Sequence, residues 1–229
     1  MHPHPDLLKS LAEVSTPDPR SHGRVRIDAT GVRPLTLEDH HAAVAGLSLS
    51  AAVPEHIQIA YDTARNLYIY AWYVYRFYPL VEHQALACLE MGLRQRLGKL
   101  PPKYWRFPDR EPTLKPLLRY AIDQGLLRNE GFRRWREQVQ QRAKDRHSLE
   151  MIRRMSEEGL KEMTIDPDAA VPNDGDRAWD YLLVLLDTLP AIRNDYAHGS
   201  TTLHSQVLGM LELVGEVLDQ IFEGSRPSA

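Results

Sequence analysis

From Pro54 onward, apolar residues fall on a helical period. Ile57, Ala60, Tyr61, Ala64, Leu67, Tyr68, Ala71, Trp72 and Tyr75 form one stripe, at the spacing that buries one face of an α-helix. Ile59, Ile69, Tyr70, Tyr73 and Phe77 add apolar groups on the opposite side. A helix apolar on both sides is either central or lies at a subunit interface. Pro54 and Glu55 suit its first turn. Pro79 opens a second predicted helix, with Leu80, Gln84, Ala87, Cys88 and Met91 on one stripe and Leu86, Leu89, Leu93 and Leu97 on another. Gly98 and Pro101-Pro102 stop it. The two helices span roughly residues 55 to 77 and 79 to 97.

Further along, residues 99 to 112 read as a Pro-rich connection and 113 to 127 as a helix turned inward through Leu114, Leu117, Leu118, Ala121 and Ile122. Residues 128 to 162 carry interspersed Arg and Glu with few apolar anchors, the pattern of a long exposed helix. A loop at 166 to 175 leads to a helix over 176 to 189, which Pro190 breaks or restarts. After Gly199, Ser200 or Thr201 can cap a final helix through Phe222, striped by Val207, Leu211, Val214, Leu218 and Ile221. Before residue 54 the pattern is mixed. Leu7 to Val14 suits a short helix, Pro17, Pro19 and Gly23 break it, Val25-Arg26-Ile27 and Leu35-Thr36-Leu37 suit short strands, and Glu38 to Leu47 suits another helix. The predicted fold class is all-α, with a short irregular or β-containing N-terminal segment. The expected organisation is a lead-in at 1–53 packed on a helical domain at 54–224, which carries a charged helical insert at about 99–175.

Composition narrows the function classes. With 229 residues and a 43% apolar fraction, the chain can build a real core. A net charge of −3 gives no overall field to draw it onto nucleic acid, though a local basic site is still allowed. The single cysteine, Cys88, excludes an intramolecular disulfide and leaves no Cys-based metal site without histidines. No segment reads as a secretory signal or approaches the roughly 20 apolar residues of a membrane span. The expectation is a cytoplasmic protein without cofactor, metal site or membrane partner.

The run Arg193-Asn194-Asp195-Tyr196-Ala197-His198 is the most informative motif. It precedes the last amphipathic helix. With the flanking Leu189-Pro190-Ala191-Ile192 and Gly199, it resembles the signature of HEPN domains: an Arg, a polar residue, and a His a few positions on. Two long helices, a helix before the motif and one after it fit the same resemblance over perhaps half the chain, and the stretch from Glu82 to Gly98 is similar to the second helix of many such proteins. The resemblance implies an antiparallel helical bundle and a homodimer. It also implies a metal-independent endoribonuclease, in bacterial defence or a toxin–antitoxin-like system with an antitoxin or other protein partner. Arg193, Asn194 and His198 would be its catalytic residues. The chain departs from one family variant, in which a Tyr stands two positions after the His, because Ser200 stands there. The stretch 99 to 175 also exceeds a minimal domain of this kind.

Elementary chemistry agrees with those residue types. Histidine exchanges protons near neutral pH, and Arg offers a rigid fork to phosphate oxygens. Spacing adds a condition. Five residues apart on a regular helix, Arg193 and His198 point about 140° from each other. They converge only across an irregular turn or across the axis of a twofold dimer, for which the aromatic helix from Tyr61 to Tyr78 is a candidate interface. The plainer alternative has Arg193 capping helix carbonyls while Asn194 and His198 bind exposed backbone.

Other candidates are weaker in chemistry. Glu82 and Glu90 lie two turns apart on one predicted helix and can face His198, but Glu90 with Arg94 also makes an ordinary i, i+4 pair. His83 can reach the same cleft. His40-His41 cannot share an ion, since adjacent helical residues point about 100° apart. Arg133, Arg134, Arg136 and Arg142, with Phe132 and Trp135 between them, are the predicted RNA-binding side chains, although neighbouring Glu residues offset much of their charge. A non-catalytic module that binds RNA or a protein is the rival to the ribonuclease. A small-ligand pocket among Tyr61, Tyr68, Trp72 and Tyr75 is a third reading, less favoured than a packed core.

Overall fold

The computed structural model describes residues 5–29, 31–105, 110–199 and 202–224. It is mostly helical, with one short antiparallel hairpin near the N-terminus, β1 (Val25–Asp28) and β2 (Gly31–Pro34). The strand expected at Leu35–Leu37 is not one. Gly31–Pro34 pairs with β1 instead, and Thr36 is already the N-cap of helix α1 (Leu37–Ala45), in a capping box with Asp39.

Helix α2 (Glu55–Tyr70) ends seven residues earlier than its apolar period suggests. Ala71, Trp72 and Tyr73 turn the chain through three-residue hydrogen bonds, and α3 (Phe77–Leu97) starts two residues before Pro79, which sits harmlessly in its first turn. The α2 stripe is core: Ile57, Tyr61, Ala64, Tyr68, Ala71 and Trp72 are buried. The aromatic pocket therefore resolves into packed side chains. Tyr61 donates its hydroxyl to the Leu211 carbonyl at 2.9 Å, and Tyr68 stacks on buried His40 with ring centroids 4.1 Å apart. His41 is exposed.

The chain divides into two compact units. One comprises residues 1–126 and 186–229. In it α3 packs against α2, α4 (Leu114–Asp123) and the helix that closes the chain. The other unit, residues 127–185, is organised by α5 (Arg133–Glu157), which buries Trp135, Val139 and Ala143. Within it the Trp135 indole donates to the Trp179 carbonyl at 2.8 Å, and Arg146 pairs with Asp176 at 2.9 Å. The second half of α5 carries no buried residue.

Two expectations about the last third are corrected. The helix expected over 176–189 is divided into a short α6 (Asp174–Arg177) and α7 (Tyr181–Ala197), because the capping box of Asn173 with Asp176 starts a separate turn. Pro190 lies inside α7 and does not break it. The final helix, α8 (Leu208–Glu223), begins after buried Val207. The cap expected at Ser200 or Thr201 falls outside the described residues.

Candidate functional site

Arg193 and Asn194 occupy the last turns of α7, and His198 follows directly, its amide donating to the Asn194 carbonyl at 3.0 Å. The segment is therefore regular, and its side chains fan out over three surfaces.

Arg193 turns toward α3. Its Nε lies 3.3 Å from Glu90 Oε2, while Glu90 Oε1 accepts from Arg94 at 2.7 Å. Arg94 in turn reaches Glu111 at 2.9 Å. Glu90 thus sits between two guanidinium groups beside a cavity of about 340 Å³ that His83 and Met91 also line. The expected i, i+4 pair of Glu90 with Arg94 is present, but Glu90 meets the motif at Arg193, and His198 lines a different cavity from both Glu82 and Glu90.

Tyr196 turns the other way and donates its hydroxyl to Glu82, which is only 7% exposed. Burial first, and then this carboxylate, push the Tyr196 phenol well above its ordinary pKa. His204 Nε2 lies 3.5 Å from the same Glu82 oxygen. Glu82, Asp195, Tyr196, Thr202 and His204 line a cavity of about 470 Å³. Neither Tyr196 nor His204 stands out in the sequence as a partner of Glu82, since only the packing of α3 against the end of α7 brings them together.

Asn194 and His198 line a third cavity, of about 720 Å³. Four cations share it: Lys103, Arg110, Lys115 and Arg119. Tyr104, Pro112 and Pro116 supply an apolar lining, and Glu111 is the one acid among its described lining residues. Lys115 also pairs with Asp187 at 2.9 Å, and the Lys103 ammonium lies 4.9 Å from the centre of the Tyr104 ring. Sequence reasoning missed these basic residues, because 99–112 reads as a Pro-rich connection and 113–127 is marked only by its inward apolar side. Their spacing is irregular, and α4 is what assembles them.

The structure thus brings His198 and Asn194 together and sends Arg193 to another cavity. The predicted RNA-binding arginines lie on α5. Arg133 pairs with Glu137 at 3.1 Å, Arg136 donates to the Glu130 carbonyl at 2.7 Å, Arg142 lies 5.9 Å over the Trp179 ring, and Arg134 is exposed. Among the described residues, no group of three or more His, Cys, Asp or Glu could hold a metal ion, and no helix is long and apolar enough to cross a membrane. Comparison with known proteins finds no family model, no curated protein and no solved structure that matches the chain.

Proposed function

We propose that this chain binds RNA at the cationic cavity at the end of α7 and cleaves it as a metal-independent endoribonuclease of HEPN type. The observation that carries this reading is the placement of His198 and Asn194 in one cavity with Lys103, Arg110, Lys115 and Arg119. A phosphodiester seated against those cations lies beside an imidazole. His198 takes the proton from the 2′-hydroxyl, whose oxygen bonds to phosphorus as the bond to the 5′-oxygen breaks. A proton then passes to that leaving oxygen. The cations offset the added negative charge of the transition state, and Asn194 orients the phosphate or the imidazole.

The role first given to Arg193 changes in this reading. Its guanidinium is engaged by Glu90 in its own chain, so in one copy the phosphate is held by the residues of α4 and the preceding loop. Arg193 joins the site only from a second copy across a twofold axis. A role in defence, with a regulating partner, is the biological setting that the motif resemblance implies.

The second reading is RNA retention without turnover. It is favoured by the same divergence of Arg193 from His198. Incubation with mixed cellular RNA in EDTA distinguishes the two. The enzyme reading expects cleavage that His198→Ala abolishes while helix content and RNA affinity persist. Cleavage unchanged in that variant would sink it, and retention without cleavage by the wild type would leave the binding module.

A further inference from the structure

Two cavities adjoin each other within the unit formed by residues 1–126 and 186–229. The cationic cavity that holds His198 and a second one, of about 420 Å³, have Glu111 and Pro112 as common lining residues. Their chemistry differs. In the first, Lys103, Arg110, Lys115 and Arg119 face a single acid among the described lining residues. In the second, the charge is largely spent. Arg94 donates one guanidinium nitrogen to Glu90 at 2.7 Å and another to Glu111 at 2.9 Å. A guanidinium already bound by two carboxylates is a poor anchor for a phosphate. Of the other described lining residues only Lys99 is charged, and it is exposed.

Apolar surface is what the second cavity offers instead. Buried Leu100 and Leu117 line it together with Pro112, and half-buried Trp105 completes the wall. The Trp105 indole donates its Nε1 to the Leu100 carbonyl at 2.9 Å. That bond holds the ring at the cavity and uses its one polar group. A ring fixed in advance loses little conformational freedom when a ligand meets it.

We infer that the Trp105 cavity is a base subsite, which takes one unpaired nucleobase of the strand whose phosphate lies against Lys103, Arg110, Lys115 and Arg119. Cations that hold the backbone beside an aromatic ring that stacks a base are the pairing by which single strands are bound. The shared wall of Glu111 and Pro112 puts the two halves of that pairing side by side. A base held in a duplex is stacked on both faces and paired at its edge, so only an unpaired nucleotide reaches the ring. Stacking uses a π-face that every base has, which makes the subsite tolerant of sequence. The substrate class is then single-stranded RNA. This subsite presupposes RNA at the cationic cavity and rests on that reading.

Fluorescence anisotropy with a labelled oligocytidylate tests it, on the full chain carrying His198→Ala so that the strand stays whole. Adding Trp105→Leu should lower affinity by about fivefold or more, the loss of one stacked base. Trp105→Phe, which keeps an aromatic ring, should retain most of it. An abasic strand of the same length should bind the parent more weakly by a similar factor, and Trp105→Leu should not weaken it further. The abasic strand separates stacking from a wall that merely shapes the groove, because a deformed groove weakens both strands alike. Equal losses for the two strands, or no loss for the oligocytidylate, overturn the base subsite and leave RNA at the cationic cavity standing. A parent that binds neither strand overturns both.

Discussion

Burial fixes the charge of His40. Its Nε2 lies 2.8 Å from the Tyr68 carbonyl, which can only accept, so the proton sits on Nε2 and Nδ1 is left buried without a partner. Burial pushes its pKa down to about 4, and the nearby Arg24 and His41 push the same way. The unfolded chain titrates near 6.5. Above that pH both states hold a neutral ring, and the stability is fully present. As the pH falls from about 6.5 toward 4, the unfolded state takes up a proton that the folded state refuses, and stability is lost, on the order of 3 kcal/mol. Urea midpoints over that range should therefore fall more steeply for the wild type than for His40→Gln. Equal slopes would mean that carboxylates alone govern acid unfolding. At this scale the sequence was legible wherever one residue or one helix settled the matter. The divergence of Arg193 from His198 followed from counting residues, and so did that of His40, which is buried, from His41, which is exposed. The hold of Glu90 on Arg193 and of Glu82 on Tyr196 was not legible, because each joins residues about a hundred positions apart.

Between elements, α3 and α8 meet closely at Gly92. A Cβ built on Gly92 would come within 2.3 Å of Leu218 Cδ2, and Leu218 is fully buried. Gly209, in the first turn of α8, has nothing within 4 Å. Glycine to alanine in a helix gains up to about 1 kcal/mol of intrinsic propensity, whereas overpacking a core costs about 1–3 kcal/mol. Gly209→Ala should raise the melting temperature slightly, and Gly92→Ala should lower it by a few degrees. Gly92→Ala as stable as Gly209→Ala would show that Leu218 has room to move. The main helices were legible because their apolar stripes are long. Their ends were not. The α2 stripe continues past Tyr70 in sequence, yet the chain turns there and buries Trp72 and Tyr78 from outside the helix. Pro190 reads as a breaker, but it denies a donor only to the Leu186 carbonyl. Burial of Leu185, Leu186 and Leu189 along α7 outweighs that loss.

For the molecule as a whole, a net charge of −3 means that any RNA contact is local. Two places compete for it. The arginines of α5 are the ones the sequence advertises, but Arg133 and Arg136 have intrahelical or backbone partners nearby, and acidic residues surround them. Lys103, Arg110, Lys115 and Arg119 are scattered in sequence and gathered in space around His198, with one acid among them. Concentrated charge of one sign is what releases counterions from a polyanion, at a slope of about 0.7 in log affinity against log salt per phosphate of a single strand. Lys103→Glu with Arg119→Glu should therefore lower RNA affinity sharply at low salt and flatten that slope by at least about one phosphate equivalent. Arg133→Glu with Arg134→Glu should leave both nearly unchanged. Filter binding over a salt series reads the two pairs side by side. If the α5 pair costs as much as the cavity pair, the RNA track runs along α5, and His198 loses the cations that make its position meaningful.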